Sequence, residues 1–307
     1  METVFNNVLP VFAVLALGAV IKRLGLAGDD FFRAAERLVY FVFFPALLFY
    51  KIGAPAGGLQ VHPGQVAAAL TVATIIFGLS LAAIFLMGLT PAQAGSFAQC
   101  SFRFNTYIGM AVITTSLGPD GVTSLGLLIG LVIPYLNLLA VGSLIWFGAG
   151  ELAPGKKALA VARAVIVNPL ILACLAGMAY GAWLPPWPRW VDNTLSLLAV
   201  LSLPLALIAI GGSLNLAKLK GHFKPAMAST GLKLVVQPLL GWGLLSLLGV
   251  SGLAFQVGMI YFALPTSTSA YILSSQLGGD TDLAAATIVL CTLLSFVSLS
   301  VVLLLIS

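Results

Sequence analysis

Ten stretches of roughly 20 predominantly apolar residues follow one another along the 307-residue chain, each about as long as a helix needs to cross a ~30 Å hydrocarbon layer. They span approximately 3–21, 33–53, 65–88, 96–117, 122–149, 160–183, 193–214, 224–248, 252–276 and 283–306, and short polar or Gly/Pro breaks separate them. The chain is 60% hydrophobic and 7% charged, far below the ~25% charged residues of a soluble domain. It has too little polar side chain to coat a water-facing surface, so lipid has to be its solvent. The expected fold class is an all-α membrane protein with ten transmembrane helices.

The first stretch follows Met-Glu-Thr and ends in Lys22 and Arg23, the reverse of the charge order of a secretory leader, so it reads as a spanning helix. The formal charge of +5 is scattered through short loops and forms no single patch, which argues against a nucleic-acid partner. It fits membrane topology, because Lys and Arg stay on the cytoplasmic side. Lys22, Arg23, Arg33, Arg37, Lys156, Lys157, Arg163, Lys218, Lys220 and Lys224 lie in or beside the loops after helices 1, 5 and 7, whereas the other side carries Lys51 and Arg189. Both termini are therefore expected on the non-cytoplasmic side. Cys100, Cys174 and Cys291 lie in apolar stretches and read as small packing residues.

A shift of 159 lays the second half on the first, pairing Pro10 with Pro169, Gly18 with Gly177, Leu38 with Leu197, Pro45 with Pro204, Leu48 with Leu207 and Gly53 with Gly212. A shift of 160 then pairs Phe102 with Phe262, Thr106 with Thr266, Leu117 with Leu277, Gly118 with Gly278 and Asp120 with Asp280. Helix-interior prolines are costly, so their coincidence points to duplication. Five helices per half is an odd number, so the second copy enters the membrane from the other side. Inverted repeats of this kind build secondary transporters, in which the halves exchange conformations around one site.

The chemistry is expected where helices 4 and 9 break. Helix 4 reads Cys-Ser-Phe-Arg-Phe-Asn-Thr-Tyr-Ile-Gly from Cys100 to Gly109, and helix 9 reads Ala-Leu-Pro-Thr-Ser-Thr-Ser-Ala-Tyr from Ala263 to Tyr271. Pro265 removes an amide donor, and Thr266, Ser267 and Thr268 are natural caps for a restarted half-helix, a role open to Asn105 and Thr106 in helix 4. Half-helix N-termini bring free amides and partial positive charge to one point, which suits a carboxylate. A simple proline kink is the plainer alternative. Arg103 and Lys233 lie inside spans with no mid-span Asp or Glu to neutralise them, so an anionic substrate would supply the missing charge; the alternatives are that either snorkels to the interface or that both bond to carbonyls and waters. Gln237, Asn137, Asn168 and Asn7 either line the cavity or bond neighbouring helices. Asp120 and Asp280 read as caps, and Gly126/Gly130 and Gly177/Gly181 as GxxxG packing matches. Intramembrane protease chemistry fails on position: Asp120 and Asp280 sit at span ends and His62 and His222 in loops, so no enzyme and no cofactor is expected.

The Phe-Arg-Phe-Asn-Thr-Tyr run from Phe102 to Tyr107 and the Leu-Pro-Thr-Ser run from Leu264 to Ser267 resemble the auxin efflux carrier family, and the resemblance covers nearly the whole chain. That family includes plant PIN-FORMED auxin carriers and bacterial carriers associated with malonate and malate. The resemblance implies broken helices 4 and 9 that cross, Asn105 holding a substrate carboxylate, and Pro265 as the crossing proline. It further implies a bacterial inner-membrane protein that dimerises through scaffold helices. Plant members carry a proline where this chain has Phe104, and their long central loop shrinks here to about ten residues around Lys156.

Together these readings predict scaffold segments 1–62 (helices 1–2) and 151–221 (helices 6–7), and transport segments 63–150 (helices 3–5) and 222–307 (helices 8–10). They predict elevator-type carriage of small organic anions such as malonate, malate or auxin-like acids. The expected substrate-binding residues are Arg103, Asn105, Thr106, Tyr107, Lys233, Gln237, Pro265, Thr266 and Ser267, with no metal. Lys233→Ala is expected to abolish uptake without disturbing folding. The competing reading is sodium-coupled symport of the bile-acid-carrier type, which calls for an acidic residue near the crossing; a channel is a third.

Overall fold

The computed structural model describes residues 6–53, 61–148, 159 and 166–306, and among them there is no strand. Fourteen α-helical segments follow in order: α1 Leu9–Arg23, α2 Asp29–Leu38, α3 Phe44–Gly53, α4 Pro63–Met87, α5 Pro91–Phe102, α6 Thr106–Ser116, α7 Gly118–Phe147, α8 Pro169–Trp183, α9 Arg189–Ser213, α10 Phe223–Gly231, α11 Gln237–Leu247, α12 Gly252–Ala263, α13 Ser269–Gln276 and α14 Thr281–Ile306. Among the described residues five helices are long and apolar enough to cross a membrane: Pro63–Met87, Gly118–Phe147, Arg189–Ser213, Phe223–Leu247 and Thr281–Ile306. The basic cluster Lys156, Lys157 and Arg163 lies outside the described residues, as does the start of the span expected at 160–183.

Helix starts follow local capping chemistry. Thr90 and Gln93 form a reciprocal capping box in front of α5, with Pro91 at the first helical position. The Asp280 carboxylate accepts the amides of Asp282 and Leu283, each at 2.9 Å, and so caps α14 as expected. Asn168 is corrected from a possible cavity residue to a cap: its side-chain oxygen accepts the amides of Leu170 and Ile171 at the start of α8.

Two wide turns were not foreseen. The second span is interrupted by a π-turn at Val39–Phe43, between α2 and α3, and the eighth by another at Leu232–Val236, between α10 and α11. Each precedes a proline, Pro45 or Pro238. A helical proline lacks its amide and pushes against the carbonyl four residues back, Phe41 or Leu234, and both of those fall inside a wide turn. The Leu234 carbonyl that Pro238 leaves without its helical donor accepts the Ser298 hydroxyl instead, at 3.4 Å. Pro134 and Pro204 sit inside α7 and α9 without such a widening.

The chain divides into two compact units. The first comprises residues 1–61, 107–131 and 166–214. Within it α1 packs on α9 and α3 on α8, both through glycines. A Cβ added at Gly18 would lie 2.1 Å from the Ile208 carbonyl oxygen and 3.0 Å from the Gly212 nitrogen. One at Gly177 would lie 3.2 Å from the Phe49 oxygen and 3.3 Å from the Gly53 nitrogen. The contacts are reciprocal: Gly18 and Gly177 are equivalents under the 159-residue shift, as are Gly53 and Gly212, and each glycine of one pair meets a glycine of the other. The GxxxG glycines on α7 also mark close packing, Gly126 against Ile52 and Gly130 against Cys174.

The second unit comprises residues 62–106, 132–165 and 215–307. Its central helix is α14, which contacts α5, α10, α12 and α13. At one end Lys218 pairs with Asp282 at 2.6 Å, His222 approaches Asp280 at 3.4 Å, and the Asp280 amide donates to the Ala92 carbonyl at 2.9 Å. At the other, Gly64 lies against Val250, and the Gln256 side chain donates to the carbonyl of Ile306 at 3.1 Å.

Candidate functional site

In the second unit, two helices open where the sequence says they should. Helix α5 stops at Phe102, and Arg103 is extended (φ −66°, ψ 154°) before α6 begins at Thr106, which leaves Asn105 in the capping position. Helix α12 stops at Ala263, and Leu264 is likewise extended (φ −65°, ψ 144°) before α13 begins at Ser269. The gaps touch: the Asn105 amide donates to the Pro265 carbonyl at 2.8 Å. Under the 160-residue shift, Asn105 and Pro265 are each other's equivalents. A symmetric pair would exchange two bonds, but Pro265 has no amide to return the second. The gap in helix 4 opens without a proline: Phe104 is buried and meets the Tyr261 ring edge-on at 4.6 Å.

The expected caps are redistributed. Thr266 is not a cap; its amide donates to Cys291 Sγ at 3.3 Å. Thr268 occupies the capping position of α13 without a side-chain bond, and Ser267 Oγ accepts the Ser269 amide at 3.3 Å. Helix 9 is open over more residues than helix 4, so Thr266 falls in the extended stretch rather than at the restart.

Arg103 Nη2 donates to Ser269 Oγ at 2.8 Å, and that hydroxyl lies 2.8 Å from Ser267 Oγ. The guanidinium of one broken helix thus holds the restart of the other. Lys233, within the second wide turn, is 0% exposed, which disposes of snorkelling for this residue. Its Nζ donates to Gln237 Oε1 at 2.9 Å, one turn along, and among the described residues no carboxylate lies within ion-pairing distance. Cys291 links the two features, since it accepts the Thr266 amide and stands close enough to Lys233 to interact electrostatically. Thr106 is buried beside Asn105. Tyr107 belongs to the first unit, where it meets Phe44 edge-on at 4.7 Å and lies within electrostatic range of Tyr40 and Glu36.

Several contributing residues went unread in the sequence. Cys291 is an acceptor as well as a packing residue. Gln99 Nε2 donates to the Ala270 carbonyl (3.0 Å) and to Ser274 Oγ (2.9 Å), and Ser96 Oγ lies 2.7 Å from Ser274 Oγ. These bonds fasten α5 to α13. The available signal was the spacing of Ser96, Gln99 and Arg103 along one face of an otherwise apolar helix.

Donors prevail in this part of the second unit: a lysine nitrogen, a guanidinium and hydroxyls, with no group of acidic, His or Cys ligands fit for a metal among the described residues. Such a set complements a carboxylate. Residues 156–303 match the family described as Membrane transport protein. That stretch is just under half of the chain, and two relatives matched along nearly the whole chain are named as transporters. The chain is 26% identical over 306 residues to a protein of Rhizobium meliloti (strain 1021) named "Putative malonate transporter", covering 96% of this chain and 93% of that one. It is 27% identical over 311 residues to an "Uncharacterized transporter" of Methanothermobacter thermautotrophicus, covering 96% and 95%. With its long apolar helices, this relative of membrane transporters is a multi-pass membrane protein.

Proposed function

We propose that the protein is a secondary carrier of small organic anions, with a carboxylate bound where the two broken helices cross. The observation that carries this reading is the Asn105–Pro265 bond between repeat-equivalent positions, with cationic Arg103 alongside and Lys233 one side chain away through Cys291. Asn105 and the amides freed around Thr106 and Thr266 hold the carboxylate; Arg103 and Lys233 balance its charge, with Gln237 orienting Lys233. Ser267 keeps Arg103 in position through Ser269. The name of the Rhizobium relative favours malonate as the first substrate to test.

Ten spans in two inverted halves remain the topology we infer. The reciprocal glycine contacts of the first unit support it, as does the shared end of the second unit at which Lys218 and the Asp280 turn meet. The expected scaffold helices 1, 2, 6 and 7 fall in one compact unit, together with residues 107–131, and most of the expected transport segments fall in the other, a grouping that favours an elevator-type movement. A homodimer through the scaffold helices, with both termini outside the cytoplasm, completes the proposal. Radiolabelled malonate and malate uptake into proteoliposomes tests it: saturable uptake lost in Asn105→Ala is expected. Uptake equal to that of empty liposomes for mono- and dicarboxylates alike would overturn it, and dependence on a sodium gradient would favour the bile-acid-type alternative.

A further inference from the structure

Lys233 is the only Lys, Arg, Asp or Glu that is buried among the described residues. Its wide turn packs against α4, α5, α12 and α14. No residue of α4 titrates; α5 contributes Cys100, with Arg103 at its end; α12 contributes Tyr261; and α14 contributes Cys291 and Asp282. The flanking α10 carries Lys224 and α11 carries no titratable group. Asp282 is engaged by Lys218 at 2.6 Å, and Arg103 stands within electrostatic range of Cys100. Of all these groups, Cys291 is the one within electrostatic range of Lys233. Among the described residues the lysine nitrogen therefore has one fixed acceptor, the neutral Gln237 Oε1, and no counter-charge.

A buried ammonium without a partner costs several kcal/mol, whereas a neutral amine still donates to Gln237 and escapes that cost. An incoming carboxylate reverses the balance, because it supplies the missing negative charge next to the nitrogen. We infer that Lys233 is the proton carrier of the transport cycle, neutral when the site is empty and protonated when an anion is bound. The step is a neutral amine, a proton from water and a carboxylate combining into an ammonium–carboxylate pair; no electrons move. Loading one face with both and releasing both at the other makes the carrier a proton–anion symporter. This rests on the carboxylate reading above.

The test is calorimetric titration of purified protein with malonate in two buffers of different ionisation enthalpy at about pH 8, where malonate is fully ionised and brings no proton of its own. Uptake of about one proton per malonate bound is expected. Malonate binding with no net proton uptake overturns the inference and leaves the anion-carrier reading standing. Failure of malonate, malate and indole-3-acetate all to bind overturns that reading, and the inference with it. Whatever binding survives in Lys233→Arg, whose charge is permanent, should take up no proton, and the same holds for Lys233→Gln. Undiminished proton uptake in either variant overturns the assignment to Lys233.

Discussion

Replacing Lys233 separates its structural role from the proposed transport role, provided the replacement keeps the volume of the side chain. Lys233 is 0% exposed, so truncation to alanine deletes about three buried methylenes, roughly 2.4 kcal/mol of transfer free energy at ~0.8 kcal/mol each, with a cavity term on top. The expectation that Lys233→Ala leaves folding intact is therefore corrected by the burial: alanine should destabilise by about 2–5 kcal/mol. Methionine keeps the stem and removes the nitrogen. It leaves Gln237 Oε1 without the donor it holds at 2.9 Å, a loss of ~1–3 kcal/mol that removal of the buried amine's own desolvation offsets. Lys233→Met should accordingly unfold within about 2 kcal/mol of wild type, and Lys233→Met/Gln237→Leu should recover most of the difference. Malonate uptake should fall to background in both. The measurements are thermal unfolding in detergent and uptake into proteoliposomes for each variant. Lys233→Met that transports at the wild-type rate, or that loses as much stability as Lys233→Ala, would refute the reasoning.

Other consequences are quick to check. Gly18→Ala puts a Cβ 2.1 Å from a backbone oxygen and should cost ~1–3 kcal/mol, whereas its repeat equivalent Gly177→Ala meets nothing nearer than 3.1 Å and should cost less; thermal melts rank the two. Gln99→Leu removes two of the three side-chain bonds from α5 to α13 and should destabilise by about 1–3 kcal/mol in the same assay. Cys291→Ala strips the Thr266 amide of its acceptor and should lower uptake more than stability, with Cys291→Ser restoring part of it. The Asp282 carboxylate holds the Lys218 ammonium above its ordinary pKa of 10.5, so the stabilisation is complete below that value and disappears as pH rises through the raised one. Melting temperature should therefore drop more steeply at alkaline pH in wild type than in Asp282→Asn.

Much of this was legible because membrane helices obey a length rule and prolines announce themselves. The breaks at Asn105 and Pro265 were read from residues that fit poorly in a helix, and the pairing of Lys233 with Gln237 follows from their four-residue spacing. What escaped depends on residues distant in sequence. Cys291 becomes an acceptor only because α14 runs beside the gap in helix 9, and Ser269 becomes an arginine partner only because the two gaps meet. The wide turns escaped for another reason. Pro45 and Pro238 were visible, but whether a helix answers a proline by kinking, widening or neither is decided by its neighbours, as Pro134 and Pro204 demonstrate.

The bond from Asn105 to Pro265 also bears on history. An ancestor made of two separate five-helix chains would have set this position against its own copy across a symmetry axis, as isologous contacts require. A proline there would have erased both amides at once, and an asparagine without proline would have kept both. Two copies free to diverge, as the halves of one polypeptide are, let one side of the crossing keep its amide while the other gives it up. On the proposed duplication, the single bond between equivalent positions marks a crossing whose two sides have diverged, one keeping its amide and the other carrying the proline.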